Sequence, residues 1–164
     1  MLLADISLPY LDEVFQTKFN YHKMIQALER KEYGPDSTDA EIAALRTWVY
    51  LHDDNVIYWK EVPVMSCFQV EVFGKKVDEL IADLDHFSIL IDLTDSTPPN
   101  ARIRESLRKV FVPLNQRGLV KAAAFTGKNF LINVAAKFVL GGSGLDFSVH
   151  STQSEAQMMI AKGK

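Results

Sequence analysis

The sequence predicts an α/β fold: a mixed, mostly parallel sheet of four or five strands with helices packed on it. Three observations carry this. From about residue 55 onward, short β-branched or apolar runs alternate with stripes of helical spacing, the pattern of parallel strands with helical crossovers. The run Phe87 to Leu93 is nearly continuously apolar, as a central strand covered on both faces requires. Two strands joined by a short link come first, and such a link makes them antiparallel.

The elements follow in order. Pro9 suits a first helical position, and Leu11, Val14, Phe15, Phe19, His22 and Ile25 continue as a helical stripe. Tyr33-Gly34-Pro35-Asp36-Ser37 is a stop and a turn. Thr38 and Glu41 form a capping box opening a second helix, with Ile42, Leu45 and Val49 on its apolar face and Trp48 close to it. Residues 1–54 therefore read as an N-terminal helical extension, and residues 55–164 as the α/β domain. Val56 to Val62 is the first expected strand. Phe68, Val70 and Val72 alternate with Gln69 and Glu71, which predicts a second strand ended by Gly74. A short helix follows through Val77, Leu80, Ile81 and Leu84. After the strand at Phe87 comes the clearest stripe in the chain: Ile103, Leu107, Val110, Phe111 and Leu114, stopped by Gly118. Leu119–Phe125 is a strand whose three alanines admit close helix packing. Phe130, Leu131, Val134, Ala135, Phe138 and Val139 mark another helix, ended by Gly141-Gly142. Asp146–His150 is the last strand. Thr152 and Glu155 form a second capping box, opening a terminal helix through Ala156, Met159 and Ile160.

Composition narrows the function. With 164 residues, 48% hydrophobic, the chain holds one domain with an extension and has enough apolar material for a core. A net charge of −3 argues against nucleic acid as the main ligand, since phosphate neutralisation needs a basic face. The lone Cys67 excludes an internal disulfide framework and reads as a small core residue in a strand. The N-terminal run Met-Leu-Leu-Ala-Asp has no basic region, so no signal peptide is expected, and no segment reaches the length of a membrane span. A cytoplasmic protein is expected.

The element order from about Asn55, the run Ile89-Leu-Ile-Asp-Leu-Thr-Asp95 leading into a helix, and the ending Phe147-Ser-Val-His-Ser-Thr-Gln-Ser-Glu-Ala156 resemble a STAS domain. The likeness is closest to the SpoIIAA-like branch of the anti-sigma factor antagonists. It implies a non-enzymatic bacterial regulatory or adaptor protein, acting on protein partners and on itself. Phosphorylated members carry Asp-Ser-x-Gly where the third strand's turn enters the next helix. Here that stretch is Pro98-Pro99-Asn100-Ala101, and the nearest Asp-Ser pair, Asp95-Ser96, lies earlier. The family's phosphoacceptor therefore has no matching position, and a kinase-and-phosphatase switch is not expected.

The candidate residues follow from the polar turns. Asp95, Ser96, Thr97 and Asn100 form a polar turn stiffened by Pro98-Pro99, either a plain strand-to-helix connection or a partner-binding surface. Ser96 and Thr97 are its hydroxyls open to phosphorylation. Thr126-Gly127-Lys128 precedes a helix start, where amides attract anions, but it lacks the spaced glycines of a phosphate-binding loop. His52-Asp53-Asp54 reads as a polar helix end, and no metal, cofactor or catalytic constellation is expected. The alternative function is binding of a small ligand, nucleotide or lipid-like, near the strand ends. Phe15, Phe19, Tyr21, Trp48 and Tyr50 are an aromatic surplus that suits core packing or a dimer face.

Overall fold

The computed structural model describes residues 32–141 and 144–162, all within one compact unit, Glu32–Lys164. The helix expected through Leu11 and Ile25, with Phe15, Phe19, Tyr21 and His22, lies outside them. The described order is α1 (Asp39–Arg46), β1 (Val49–Asp53), β2 (Val56–Lys60), α2 (Cys67–Leu80), β3 (Phe87–Asp92), α3 (Ala101–Leu114), β4 (Leu119–Phe125), α4 (Phe130–Leu140), β5 (Phe147–His150) and α5 (Gln153–Ala161). A short 3-10 turn, Asn115–Arg117, follows α3.

The fold is α/β with a mixed five-stranded sheet. Its strands lie in chain order, β1-β2-β3-β4-β5. The β1–β2 pair is antiparallel and every later pair is parallel. Right-handed crossovers that always step the same way put their helices on one face. Trp59 of β2 accordingly meets Phe73 of α2 edge-on at 5.0 Å and Phe111 of α3 at 5.1 Å. Val56, Tyr58, Leu90, Ala123 and Phe125 point the other way and bury Ala156 and Ile160 of α5. The three-helix layer and α5 thus sandwich β3, all six residues of which are buried.

Two elements depart from the sequence reading. The expected strand at Phe68–Val72 is the first half of α2. Ser66 caps this helix by accepting from the Gln69 amide at 3.0 Å. Phe68, Val70 and Val72 do alternate, but the buried set is Gln69, Val70, Val72, Phe73, Gly74 and Val77, which is a helical face. Gly74 ends nothing. It lets α3 approach, since a Cβ there would stand 2.9 Å from Val110. Cys67 is consequently the half-buried first residue of a helix, not a strand core residue.

The second departure is upstream. Helix α1 opens on the expected capping box but stops at Arg46, and Val49–Asp53 is strand β1. The antiparallel opening pair is therefore β1–β2, and the division expected near Asn55 falls inside its hairpin. Thr47 and Trp48 close the helix, with the Thr47 hydroxyl donating to the Ala44 carbonyl at 2.7 Å. Val49 and Tyr50 are β-formers, and Tyr50 stacks on Tyr58 across the strands at 5.2 Å.

The short helix expected through Val77, Leu80, Ile81 and Leu84 is the second half of α2, which ends at Leu80; the later strands and helices form where expected. Gly118 takes φ +96° after the 3-10 turn, and any Cβ there would strike the Asp85 carbonyl at 2.3 Å. Its own carbonyl accepts from the Phe87 amide at 3.0 Å. Among the described residues no helix is long and apolar enough to cross a membrane.

Candidate functional site

Loops from the ends of β2, β3 and β4 meet at the carboxyl edge of the parallel strands. The turn after β3 is built largely by its own hydrogen bonds. Asn100 caps α3, accepting from the Ile103 amide at 3.0 Å. Thr97 is exposed, and its hydroxyl donates to the Pro63 carbonyl at 2.8 Å, tying this turn to the loop after β2. Asp95 is exposed and lies 3.7 Å from Lys60 Nζ. Ser96 differs. It is only 4% exposed, its amide donates to the Leu93 carbonyl, and its Oγ has no partner. A kinase reaches Ser96 only after this turn opens, whereas Thr97 lies at the surface.

The loop after β4 places Thr126 in the interior, its amide donating to the His150 carbonyl at 3.1 Å. Gly127 turns with φ +60° beside Thr94, and Lys128 is exposed. Asn129 caps α4 by accepting from Ile132. The three anion candidates therefore do not converge: Thr126 is committed to the sheet edge. His52 and Asp53 lie in β1, at the opposite edge of the sheet from His150 in β5. No group of three or more metal-ligating side chains forms among the described residues.

Behind this turn lies a cleft that sequence reading missed. Trp59, Glu61, Ile91 and Ala124 form its sheet side. Leu107 and Phe111 of α3, with Ile132, Ala135, Ala136, Val139 and Leu140 of α4, form its helix side. Pro99, Met65, Leu93 and Phe147 complete it, and its cavity is about 50 Å³. Every lining residue is apolar except Glu61. That carboxylate is 2% exposed. One oxygen accepts from Trp59 Nε1 at 3.1 Å and the other from the Val62 amide at 3.0 Å. No cation pairs with it among the described residues. Burial pushes its pKa up from 4.5 to about 7, more than these two hydrogen bonds and the nearby Gln69 amide pull it down. Gln69 is itself fully buried, and both its amide atoms lie outside hydrogen-bond geometry to any partner. Glu61 carried a signal in the sequence: it is the one acidic residue in the apolar run Val56 to Val64.

Helix α4 is apolar on both sides. Ile132, Ala136, Val139 and Leu140 face inward. Phe130, Leu131, Val134 and Phe138 face outward, 75%, 67%, 50% and 75% exposed. The residues that marked this helix in the sequence include only one of its buried residues, Val139; the packed side runs through Ile132, Ala136, Val139 and Leu140. Arg104 of α3 sits 5.7 Å from the Phe138 ring and borders the outer face.

No protein-family model matches the sequence, and no curated protein is significantly similar to it.

Proposed function

We propose that this chain is a non-enzymatic regulatory or adaptor module of STAS type that works by binding protein, a second copy or another chain. The observation that carries this reading is the outer face of α4. A helix that buries one apolar side and exposes four further large apolar side chains is a helix whose outer side is covered in its working state. Four large apolar side chains side by side make a contiguous patch of the kind that marks interaction surfaces. Thr94 lies against Gly127, so the polar turn with Asp95 and Thr97 borders the same end of the sheet and supplies a polar rim. The buried Ser96 supports a contact that works without a phosphoserine switch, in a cytoplasmic bacterial setting.

The test compares the wild-type chain with a Leu131→Ser, Phe138→Ser variant. Both are tagged and recovered from the native cells, and both are run in sedimentation velocity. The reading expects a specific partner or a dimer with the wild type and loss of it in the variant. Identical partners for both, or a monomer that recovers nothing, overturns it.

The cleft favours a second reading, a small-ligand binder. An apolar pocket with a single polar group resembles ligand sites in general. A thermal-shift screen separates the two, because a ligand that binds the folded chain raises its melting temperature.

A further inference from the structure

We infer that the Glu61 end of the cleft is a recognition site for a small primary alkylammonium ion. This rests on the small-ligand reading of the cleft and names its ligand class. The cleft's polar groups are unbalanced. Each Glu61 oxygen accepts one hydrogen bond, from Trp59 Nε1 and from the Val62 amide, and has room for a second. Beside it the Gln69 amide is unpartnered at both ends, and its two N–H donors are fewer than the acceptor positions open on the two Glu61 oxygens and its own oxygen. Acceptors are in surplus, and a carboxylate sits in an apolar lining with no cation against it. A buried carboxylate of this kind is costly alone and is stabilised by a paired charge.

An ammonium group answers each term. It carries donors and no acceptor, so its N–H groups fill the open lone pairs of Glu61, the one charged group that lines the cleft. Trp59 and Phe111, which both line the cleft, offer ring faces that attract a desolvated cation. Carboxylate ligands are repelled by Glu61, and neutral alcohols gain the apolar contacts alone. The cavity of about 50 Å³ takes roughly three non-hydrogen atoms on the scale of a water each. The ammonium and the first carbons fill it, and a longer body extends toward solvent.

The experiment titrates the chain with n-propylammonium, n-propanol and propionate at pH 8, following the Trp59 indole N–H resonance by NMR. This proton donates to Glu61 and reports directly on the site. The amine is expected to bind about tenfold or more tightly than the alcohol, the size of one charge-assisted hydrogen bond, with propionate weakest. Glu61→Gln keeps the shape of the side chain and is expected to bring the amine down to the level of the alcohol. Ala135→Phe, which fills the cleft from α4, is expected to abolish both. Near-UV circular dichroism confirms that each variant is folded. If alcohol and amine bind equally, or if Glu61→Gln binds the amine as the wild type does, the ammonium assignment is overturned and the cleft reading stands. If no probe moves the Trp59 resonance, both fall.

Discussion

Glu61 follows directly on β2 and Asp92 ends the neighbouring β3, and the Glu61 amide donates to the Asp92 carbonyl at 2.9 Å. Both carboxylates are buried, yet they lie on opposite faces of the sheet and are treated differently. Asp92, on the α5 face, collects the Tyr58 hydroxyl at 2.9 Å, the Thr94 amide at 3.0 Å and the Thr94 hydroxyl at 2.5 Å. It anchors the turn that follows it and raises the Tyr58 pKa, a shift led by burial of the phenol. Glu61, under the three-helix layer, collects two donors and pays in protonation. The difference separates a structural carboxylate from one held in readiness. Hydrogen bonds that hold Asp92 also fix the backbone around it, whereas those reaching Glu61 leave lone pairs facing a cavity.

The largest effect that sharpens this contrast is expected at Asp92. Asp92→Ala leaves Tyr58 and Thr94 without their shared acceptor, at about 4 kcal/mol for two or three charge-assisted bonds. Urea unfolding at pH 7 measures it, and a loss below about 1 kcal/mol breaks the description of Asp92 as an anchor.

Glu61 gives the next effect, with the opposite pH behaviour from a paired carboxylate. Its folded pKa of about 7 lies above the ordinary 4.5. Below pH 4.5 both folded and unfolded chains hold the proton, and the stability is complete. As pH rises from 4.5 toward 7 the unfolded chain releases its proton first, so stability falls, and it levels off above 7. The shift corresponds to about 3 kcal/mol. Urea titrations from pH 4.5 to 8 on wild type and Glu61→Gln isolate this contribution, because other carboxylates cancel in the difference. The wild type is expected to lose about 3 kcal/mol relative to the variant over that window. A flat difference removes the strain assigned to Glu61.

Much of this frame was legible in the sequence, for physical reasons that also explain the rest. β3 and β4 were clear because a strand covered on both faces must be apolar throughout. Both capping boxes were clear because their chemistry is local. The stretch Cys67–Leu80 was not, because Phe68, Val70 and Val72 satisfy a two-residue period over the short window where both periods agree. Gln69, polar and fully buried, pushed the reading further the wrong way. In β1, Val49 extends the helical spacing of Ile42 and Leu45, and only pairing with β2 decides its state. The cleft was illegible because Glu61, Pro99, Leu107 and Ala136 come from four separate segments of the chain. For α4, one-dimensional spacing identifies a helix but cannot choose which of two apolar sides meets the sheet.

The turn after β3 supplies the smaller effects. Asn100→Ala removes the α3 cap and is expected to cost about 1 kcal/mol, read by urea unfolding. An equal stability with and without the Asn100 side chain means that α3 is held entirely by its packing, with Phe111 on Trp59 and Val110 on Gly74.

The smallest effect tests whether the turn belongs to structure or to contact. Asp95 is exposed, and its 3.7 Å approach to Lys60 is a surface ion pair of about 0–1 kcal/mol at most. Thr97 is also exposed, so Asp95→Ala with Thr97→Ala is expected to change stability by about 1 kcal/mol or less. If the turn is the polar rim of the proposed contact, the same pair is expected to set association rate more than affinity. Surface plasmon resonance against the partner recovered with the wild-type chain is expected to show slower association with dissociation nearly unchanged. The Leu131→Ser, Phe138→Ser variant is expected to act mainly on dissociation, since apolar contacts at the centre of an interface hold the complex. A faster dissociation in the Asp95, Thr97 variant than in the α4 variant moves the centre of the contact from the helix to the turn. In that case Asn100 and the Pro98-Pro99 corner present the partner-binding surface.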